Sequence, residues 1–252
     1  MELIECIINE EQEFPKLFAS YAEMEYGLLF YNEKEKESYD SNHAIIYPDK
    51  ITDFEAVISE IKDFYIRKEI VPRLYQPFVE GYFFDRKELL EKHGYNVEMY
   101  GKNKFMLLSE ESTLEIQERL AIRRIKKWDE RISLDVYQPS NEDYGIEVEK
   151  SSLKNENYYL FAGFLGNEIA TIVAFHESSY GCTRFDYILT APKHRGKGYA
   201  REILSYATDY CKQNGIKNCF QWPAHETSEK MCREAGFEDL FEVEAASAFF
   251  VK

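Results

Sequence analysis

A strand-like run, a glycine turn and an amphipathic run follow one another directly over residues 185–211, and this succession constrains the fold more than any other feature. A helix that starts after such a turn presents free backbone N–H groups and the positive end of its dipole, and both attract phosphate oxygens. Gly196 and Gly198 let an anion come close, because glycine has no Cβ and adopts positive φ freely. Three basic residues add positive charge. The turn therefore predicts an anion site, and its sequence is Ala191-Pro192-Lys193-His194-Arg195-Gly196-Lys197-Gly198-Tyr199-Ala200.

Two common phosphate-binding loops are excluded by spacing. The turn lacks the G-x-x-x-x-G-K-[ST] pattern of a Walker loop, and it lacks the third glycine of a dinucleotide-binding fingerprint. The plain alternative is a basic surface turn at the start of an ordinary helix.

The spacing R-x-x-G-x-A, from Arg195 through Gly198 to Ala200, resembles the Q/R-x-x-G-x-G/A signature of the GNAT N-acetyltransferase superfamily. In that family the loop binds the pyrophosphate of acetyl-CoA. The resemblance implies acetyl-CoA as co-substrate. It also implies a diphosphate site formed by Arg195, Gly196, Lys197, Gly198, Tyr199 and Ala200.

Length and composition indicate a folded protein of one large or two small domains. The chain has 252 residues, 44% of them hydrophobic and 15% aromatic, which argues against disorder. Its apolar runs are shorter than the roughly 18 residues of a membrane helix, and the acidic N-terminus lacks a signal-peptide pattern. The five cysteines are spread out without a C-x-x-C pair, so no metal site or disulfide framework is expected and a cytoplasmic, reduced protein is favoured.

The net charge of −15 argues against nucleic acid as the main partner. The charge is uneven: residues 1–112 carry a net −11 and residues 113–252 a net −4. Solubility is one explanation. The other is an electric field that attracts a cationic amine substrate.

Hydrophobic spacing predicts the elements of the first half. Residues 10–30 have helical spacing at Phe14, Leu17, Phe18, Tyr21 and Met24. The other expected helices and strands are a strand at 43–47, a helix at 51–66 that starts near Asp49 and Asp53, a strand at 74–75, a helix at 87–93 and a strand at 104–108. The polar residues 109–118 mark the expected domain boundary.

The second half shows a different order of elements. Residues 129–152 are mostly helical in pattern, with breaks near Pro139 and Gly145, and Gly166-Asn167 predicts a hairpin between strands at 158–164 and 169–175. The remaining expected elements are strands at 185–189, 219–222 and 248–251, and helices at 200–211 and 228–235. This order is similar to the GNAT fold over roughly residues 117–252, and residues 232–237 resemble that family's segment of helix, glycine and aromatic residue.

The two halves also echo each other. Residues 63–77 match residues 209–223 at a constant offset, and residues 89–95 match residues 231–237. We therefore expect an α/β (α+β) fold, in which a central mixed sheet is flanked by helices, with a second, partial GNAT-like domain at the N-terminus. The expected boundaries are 1–112 for this degenerate N-terminal domain and 113–252 for the acetyl-CoA-binding N-acetyltransferase domain.

The N-terminal copy should not bind the cofactor. Residues 48–53 stand where the other half has its glycine turn, and they contain no glycine but two carboxylates, Asp49 and Asp53. These carboxylates would occupy the free N–H groups and repel a diphosphate. The first half would then either shape the substrate site or serve only as a structural partner.

The resemblance also assigns roles on the strand before the turn. In the family, the pantetheine arm pairs with the exposed edge of this strand, here Ile188, Leu189 and Thr190. A backbone N–H of the same strand stabilises the oxyanion, and Leu189 is the expected donor.

The acid and the base are less clear from the sequence. The family's usual tyrosine acid aligns with Cys232, which would either protonate the thiolate or simply pack, leaving that proton to water or another tyrosine. An ammonium group with a pKa near ~10.4 must lose a proton before it attacks, so a base is needed. Asp186 is one candidate, because it is two residues from Ile188 and should share its face of the strand. His176, at the end of the neighbouring strand, is the other.

These observations favour an acetyl-CoA-dependent N-acetyltransferase acting on a primary amine of a small molecule or peptide. The alternative is a catalytically silent sensor or scaffold that binds acetyl-CoA or CoA. The expected partners are a cationic amine and, as an assembly, a second copy of the chain; no nucleic acid, membrane or metal is expected.

Overall fold

The structure is a computed structural model that describes residues 2–109 and 111–251. The chain forms two compact units. The large unit comprises Met1–Glu11 and Lys104–Phe241, and the small unit comprises Gln12–Asn103 and Glu242–Lys252. This division differs from the expected boundary at residue 112, because the first residues belong to the large unit and the last residues to the small one.

Helices and strands alternate along most of the chain. The helices are α1 (Leu3–Glu13), α2 (Phe54–Ile66), α3 (Lys87–Lys92), α4 (Gln138–Ser140), α5 (Tyr144–Ser152), α6 (Tyr199–Gln213) and α7 (Glu226–Glu234). The strands are β1 (Ser20–Met24), β2 (Gly27–Tyr31), β3 (Ala44–Ile46), β4 (Arg73–Tyr75), β5 (Tyr95–Leu108), β6 (Ala121–Ile125), β7 (Tyr158–Leu165), β8 (Glu168–Glu177), β9 (Thr183–Thr190), β10 (Cys219–Gln221) and β11 (Phe237–Phe250).

The small unit is built on the strand order β1-β2-β3-β4-β11. Strands β3 and β4 are parallel, and β11 pairs antiparallel with β4 at residues 247–249. Its core is formed where the apolar face of α2 packs on the sheet; buried members are Val57, Ile58, Ile61, Leu74 and Ala248.

The prediction of helical structure over residues 10–30 is wrong. Helix α1 ends at Glu13, a 3-10 turn covers Phe14–Leu17, and residues 20–31 form the antiparallel hairpin β1-β2. Glycine is required at position 27 for β2 to pair with β3, because its φ is +153° and a Cβ there would lie 2.0 Å from the carbonyl oxygen of Ile45. The helical spacing of the apolar residues is therefore coincidental.

The large unit has the strand order β6-β7-β8-β9-β10-β5-β11. Strands β6 to β9 are antiparallel, whereas β10 runs parallel to β9. Residues 106 and 107 of β5 pair with β10, so a strand that begins in the first half of the sequence completes this sheet. Residues 247–249 of β11 complete the small unit's sheet in the same way, which is why a single cut at residue 112 separates neither unit.

The predicted hairpin at Gly166-Asn167 is confirmed, and so are the breaks in the helical segment before it. A π-helical stretch, Ile132–Tyr137, leads into α4, and Asn141 at φ +59° ends α4 before α5 begins. Helix α6 packs its apolar face on β7, β8 and β9 through Ile203, Leu204 and Ala207. Strands β5 and β11 are longer than the expected strands at 104–108 and 248–251.

The internal echo corresponds to matching elements. The series α2, β4, α3, Gly94 and β5 has the same order as α6, β10, α7, Gly236 and β11. The glycines before the two last strands adopt positive φ, +85° and +94°, and β3-β4 and β9-β10 are parallel pairs. The prediction of a second, partial copy of the fold is therefore confirmed. Among the described residues, no helix has the length and apolar content needed to cross a membrane.

Candidate functional site

The glycine turn lies between the end of β9 and the start of α6. A 3-10 turn, Pro192–His194, follows the strand, and Gly196 and Gly198 adopt φ values of +73° and +84°. No described atom lies within 4 Å of the place where a Cβ on Gly196 would stand. The main chain is thus bent at two glycines, and the space beside Gly196 is open.

Helix α6 begins without a side-chain cap. Its N-cap residue is Gly198, and no side chain of the described residues accepts a hydrogen bond at this position. The first N–H groups of an α-helix have no partner inside the helix. The start of α6 therefore presents unsatisfied donors together with the positive end of the helix dipole.

Arg119 and Glu202 hold the turn in place. The guanidinium of Arg119 donates to the carbonyl oxygen of Lys197 and lies 4.6 Å from the ring centre of Tyr199. The buried carboxylate of Glu202, in the first turn of α6, accepts from the backbone N–H groups of Arg119 and Leu120 at 2.7 and 2.6 Å. The segment before β6 is thereby fixed against the helix start.

The basic side chains of the turn make local contacts and stay near the surface. Arg195 donates through Nε to the carbonyl oxygen of Thr190 at 3.1 Å and through Nη2 to Ser140 of α4 at 3.3 Å. Lys197 donates to the carbonyl oxygen of Lys193 at 2.8 Å, and Lys193 pairs with Glu168 at 2.8 Å. These contacts bring positive charge to the turn without occupying the N–H groups of α6.

Strands β9 and β10 pair over a short distance. Among the described residues, β10 pairs with β9 only where Cys219 faces Thr183 and Phe220 faces Arg184. No described strand pairs with the rest of β9, up to Thr190, on this edge. The edge that carries Ile188, Leu189 and Thr190 is thus available for an extended chain to add to it, as in β-augmentation.

A β-bulge interrupts β9 next to this edge. Val173 of β8 faces Ile188 and Phe175 faces Phe185, so both Asp186 and Tyr187 lie opposite the single residue between them on β8. A bulge reverses the alternation of side chains along the strand. Ile188 packs with the apolar cluster under α6, whereas Asp186 contacts polar groups. The expectation that Asp186 shares a face with Ile188 is therefore wrong.

The two faces of β7, β8 and β9 carry different rows of side chains. Tyr159, Phe175 and Phe185 face one another across the strands and stack, with ring centres 4.8 and 5.1 Å apart. The residues next to these on the same three strands form a second row, in which Tyr158 faces His176 and His176 faces Arg184. Because side chains alternate along a strand, this polar row lies on the face opposite the aromatic row.

Helix α1 supplies two buried carboxylates to the polar row. Oε1 of Glu10 lies 2.7 Å from Nδ1 of His176, and Oε1 of Glu11 lies 2.6 Å from Nε of Arg184. Trp222 donates to the other oxygen of Glu11 at 3.2 Å. Burial raises the pKa of Glu11, although Arg184 opposes this rise. His176 is thus held by a carboxylate rather than free to serve as a base.

Asp186 connects the polar row to α5. One of its oxygens accepts from Arg184, and the other lies 3.3 Å from the hydroxyl of Tyr158. That same hydroxyl lies 2.8 Å from Oε1 of Glu149, which is 2% exposed. Burial raises the pKa of Glu149 to about 8, the charge of Asp186 adds to the rise, and the hydroxyls of Tyr158 and Tyr137 oppose it.

Cys232 lies elsewhere, in the apolar core of the large unit. It is 1% exposed and belongs to the same cluster as Cys219 and Phe237. Burial raises its pKa to about 12. A thiol in this setting is a poor proton donor to a departing thiolate, so the packing alternative describes Cys232 better than the acid alternative.

The structure brings together some of the predicted residues and adds others. The six residues of the turn lie close to the free edge of β9, and Asp186 lies on the same strand. Cys232, in contrast, lies in the core. Sequence reasoning missed Glu10, Glu11, Glu149, Tyr158 and Arg184. Their signal is weak, because acidic residues on surface-like helices and a tyrosine in a strand are common. Only strand register reveals that they meet.

Comparisons with known proteins agree with this architecture. The model of the acetyltransferase (GNAT) family matches residues 122–237. The comparison with curated proteins gives no match.

The solved structures that are similar to this chain include two GCN5-related N-acetyltransferases and a tandem GNAT protein. A GCN5-related N-acetyltransferase from Kribbella flavida has a TM-score of 0.66 and 11% identity, over 98% of this chain and 94% of its own. One from Sphaerobacter thermophilus has a TM-score of 0.56 and 13% identity, over 89% and 80%. A tandem GNAT protein from the clavulanic acid biosynthesis pathway has a TM-score of 0.55 and 7% identity, over 82% and 74%. These identities show the fold alone, and the predicted fold class is confirmed.

Proposed function

We propose, from the match of residues 122–237 to the model of the acetyltransferase (GNAT) family, that the protein transfers an acetyl group from acetyl-CoA to a primary amine of a small molecule or peptide. The observation that carries the proposal is the uncapped start of α6 at Gly198. A helix start that presents bare N–H groups beside basic side chains suits a diphosphate.

The residues present fit acetyl-CoA. The turn from Arg195 to Ala200 would hold the pyrophosphate, with room at Gly196 for a close approach. The free edge of β9 at Ile188, Leu189 and Thr190 would pair with the pantetheine amides. The oxyanion that forms on the thioester carbonyl would accept from the backbone N–H of Ile188 rather than from that of Leu189, because Leu189 pairs with Ile172 of β8 and turns its N–H away from the free edge. Acetyl-CoA supplies the activated acyl group.

The amine must lose a proton before it attacks, and we assign this task to Asp186. Its side chain is 16% exposed and lies on the polar face of β9, near the start of the free edge. His176 is less suited, since Glu10 holds its ring. With Cys232 in the core, the thiolate would take its proton from water or from a tyrosine hydroxyl.

The two units would then differ in role. The large unit would bind acetyl-CoA and carry the reaction. The small unit would be a degenerate copy, because Asp53 caps the start of α2 by accepting from the N–H of Ala56 at 3.0 Å. That carboxylate takes up a donor and repels phosphate.

The test is to incubate the protein with acetyl-CoA and a panel of primary amines while monitoring free thiol. We expect thiol release with at least one amine, faster with cationic acceptors because the net charge is −15. Glu156→Gln, a change of an exposed carboxylate, serves as the control for nonspecific charge effects.

A second candidate function is that of a catalytically silent sensor of acetyl-CoA. The buried Cys232 favours it, because this residue stands where the family usually has its tyrosine acid. A sensor would bind CoA tightly, measured as a thermal shift, and would release no thiol across the panel. Absence of both binding and release would contradict both candidates.

A further inference from the structure

A buried carboxyl group outside the assigned roles lies behind Asp186. Glu149 of α5 and Tyr158 of β7 are each 2% exposed, yet the hydroxyl of Tyr158 lies within hydrogen-bonding distance of both Glu149 and Asp186. Asp186 is the most exposed of the three. The three groups thus form a line from the edge of the polar face into the interior.

We propose that Glu149 receives, through the hydroxyl of Tyr158, the proton that Asp186 takes from the acceptor amine. This inference rests on the proposed acetyl transfer and adds two relay residues to it.

Hydrogen-bond counting supports a relay. A tyrosine hydroxyl carries one hydrogen and can also accept, whereas the two carboxylates offer only acceptors when both are ionised. The shorter of its two contacts, 2.8 Å to Oε1 of Glu149, marks Glu149 as the partner that receives the Tyr158 hydrogen. The contact of 3.3 Å to Asp186 is satisfied once Asp186 has gained a proton, since Asp186 can then donate to the tyrosine oxygen.

The charges around the two carboxylates favour this direction. Asp186 is held in an ion pair by Arg184, which Glu11 also contacts. Glu149 is faced by Tyr158, Tyr137 and the negative Asp186 and has no ion-pair partner among the described residues. Its pKa of about 8 lies near neutral pH, where a group can both accept and release a proton.

The protons and electron pairs balance. An N–H bond of the ammonium breaks and an O–H bond forms on Asp186. Asp186 then passes its proton to the oxygen of Tyr158 as the Tyr158 proton moves to Glu149. The lone pair freed on nitrogen attacks the thioester carbonyl carbon and forms the C–N bond. The electron pair of the C–S bond leaves with sulfur. The second proton lost by nitrogen passes to water, which gives a proton to the thiolate. Glu149 returns its own proton to solvent through Tyr158 and Asp186 after the products leave.

The test compares Glu149→Gln and Tyr158→Phe with the wild type, in kcat against pH at saturating substrates. In the wild type, kcat should rise with pH through a midpoint near 8, because only ionised Glu149 can accept the proton. Glu149→Gln should lower kcat about 100-fold at pH 8.5 and remove this rise. Tyr158→Phe should also lower kcat, since the two carboxylates remain but their link is lost. The KM for acetyl-CoA should not change.

Tyr159→Phe is the matched control. Tyr159 is the next residue of β7, but its ring lies on the aromatic face and its hydroxyl is 3.5 Å from Glu177. This variant should keep the wild-type profile.

The outcomes separate the relay from the proposed function. A Glu149→Gln enzyme with wild-type kcat and an unchanged pH profile overturns the relay and leaves acetyl transfer intact. No thiol release by the wild type with any amine overturns both. If Glu149→Gln does not fold, Tyr158→Phe decides: a lowered kcat with an unchanged KM for acetyl-CoA supports the relay, and a wild-type kcat with an unchanged pH profile overturns it.

Discussion

Two helices of this molecule start after similar turns and end up with opposite properties. Helix α2 follows β3 and a 3-10 turn that begins at Pro48, and helix α6 follows β9 and a 3-10 turn that begins at Pro192. The N-cap of α2 is Asp53, whose carboxylate accepts from the backbone N–H of Ala56. The N-cap of α6 is Gly198, which has no side chain to do so.

The difference shows how one copy of a fold can lose an anion site while keeping its architecture. A carboxylate cap stabilises a helix start, but it uses the donors and adds negative charge where a phosphate would bind. Gly198 gives up the cap and leaves the donors free. Substitutions in either unit can therefore test whether this difference at the helix starts has the expected consequences.

The largest effect is expected from separating the two halves of the sequence. A fragment of residues 113–252 lacks the strand that pairs with β10 and the helix that supplies Glu10 and Glu11. We expect it to show no cooperative thermal unfolding, and addition of residues 1–112 in trans should restore the transition. A fragment that folds alone and turns over at the full-length rate would show that the copies are independent.

The next effect concerns the chemistry, which should belong to the large unit alone. Asp186→Asn should lower kcat by about 10²-fold or more, because the amide cannot accept the amine proton. The affinity for CoA should be unchanged. Asp209→Asn, at an exposed position on α6, is the control. An unchanged pH–rate profile in Asp186→Asn would clear this residue of the role.

The stability of the small unit should depend on pH through the buried His43. Burial lowers the pKa of His43 to about 4, so its neutral form is favoured in the folded protein. As the pH falls from about 6.5 to about 4, the unfolded chain takes up a proton that the folded one resists, and stability should drop by about 3 kcal/mol. His43→Gln should flatten this part of the stability curve. Denaturant unfolding at several pH values measures it, and equal slopes in both proteins would refute the assignment.

The smallest effect is that of the cap on α2. Asp53→Ala should cost about 1 kcal/mol of stability through loss of the bond to the N–H of Ala56. It should create no CoA site, since the α2 turn still lacks glycines. Asp49→Ala, in the 3-10 turn before the helix, should cost less. Equal losses from the two variants would mean that Asp53 is not a cap.

Much of the fold could be predicted from the sequence because its signals are local. Gly166-Asn167 fixes a hairpin, Gly198 fixes a helix start, and the repeat of elements about the constant offset reveals two copies. The hairpin β1-β2 could not be predicted because its apolar residues happen to repeat at helical spacing. The long reach of β5 and β11 could not be predicted because strand exchange leaves no local signal.

The candidate site could be predicted only in its cofactor-binding part. The polar row depends on register, and register here depends on two bulges. Counting back from the turn at Gly166 without the irregularity at Gly163 would place Tyr158 opposite Phe175 instead of His176. A one-residue error moves a side chain to the other face of the sheet. The bulge in β9 hides the surroundings of Asp186 in the same way.

Whether the bare start of α6 holds the diphosphate is tested most directly by the affinity of a folded Gly198→Glu protein for CoA. The variant would place a Cβ 3.3 Å from Arg119 and a carboxylate at the start of α6. Calorimetry should show affinity weakened by about 100-fold or more, while Gly166→Glu, at a positive-φ turn with open space, should bind as the wild type does. Unchanged affinity in a folded Gly198→Glu protein would contradict the claim that the bare helix start holds the diphosphate.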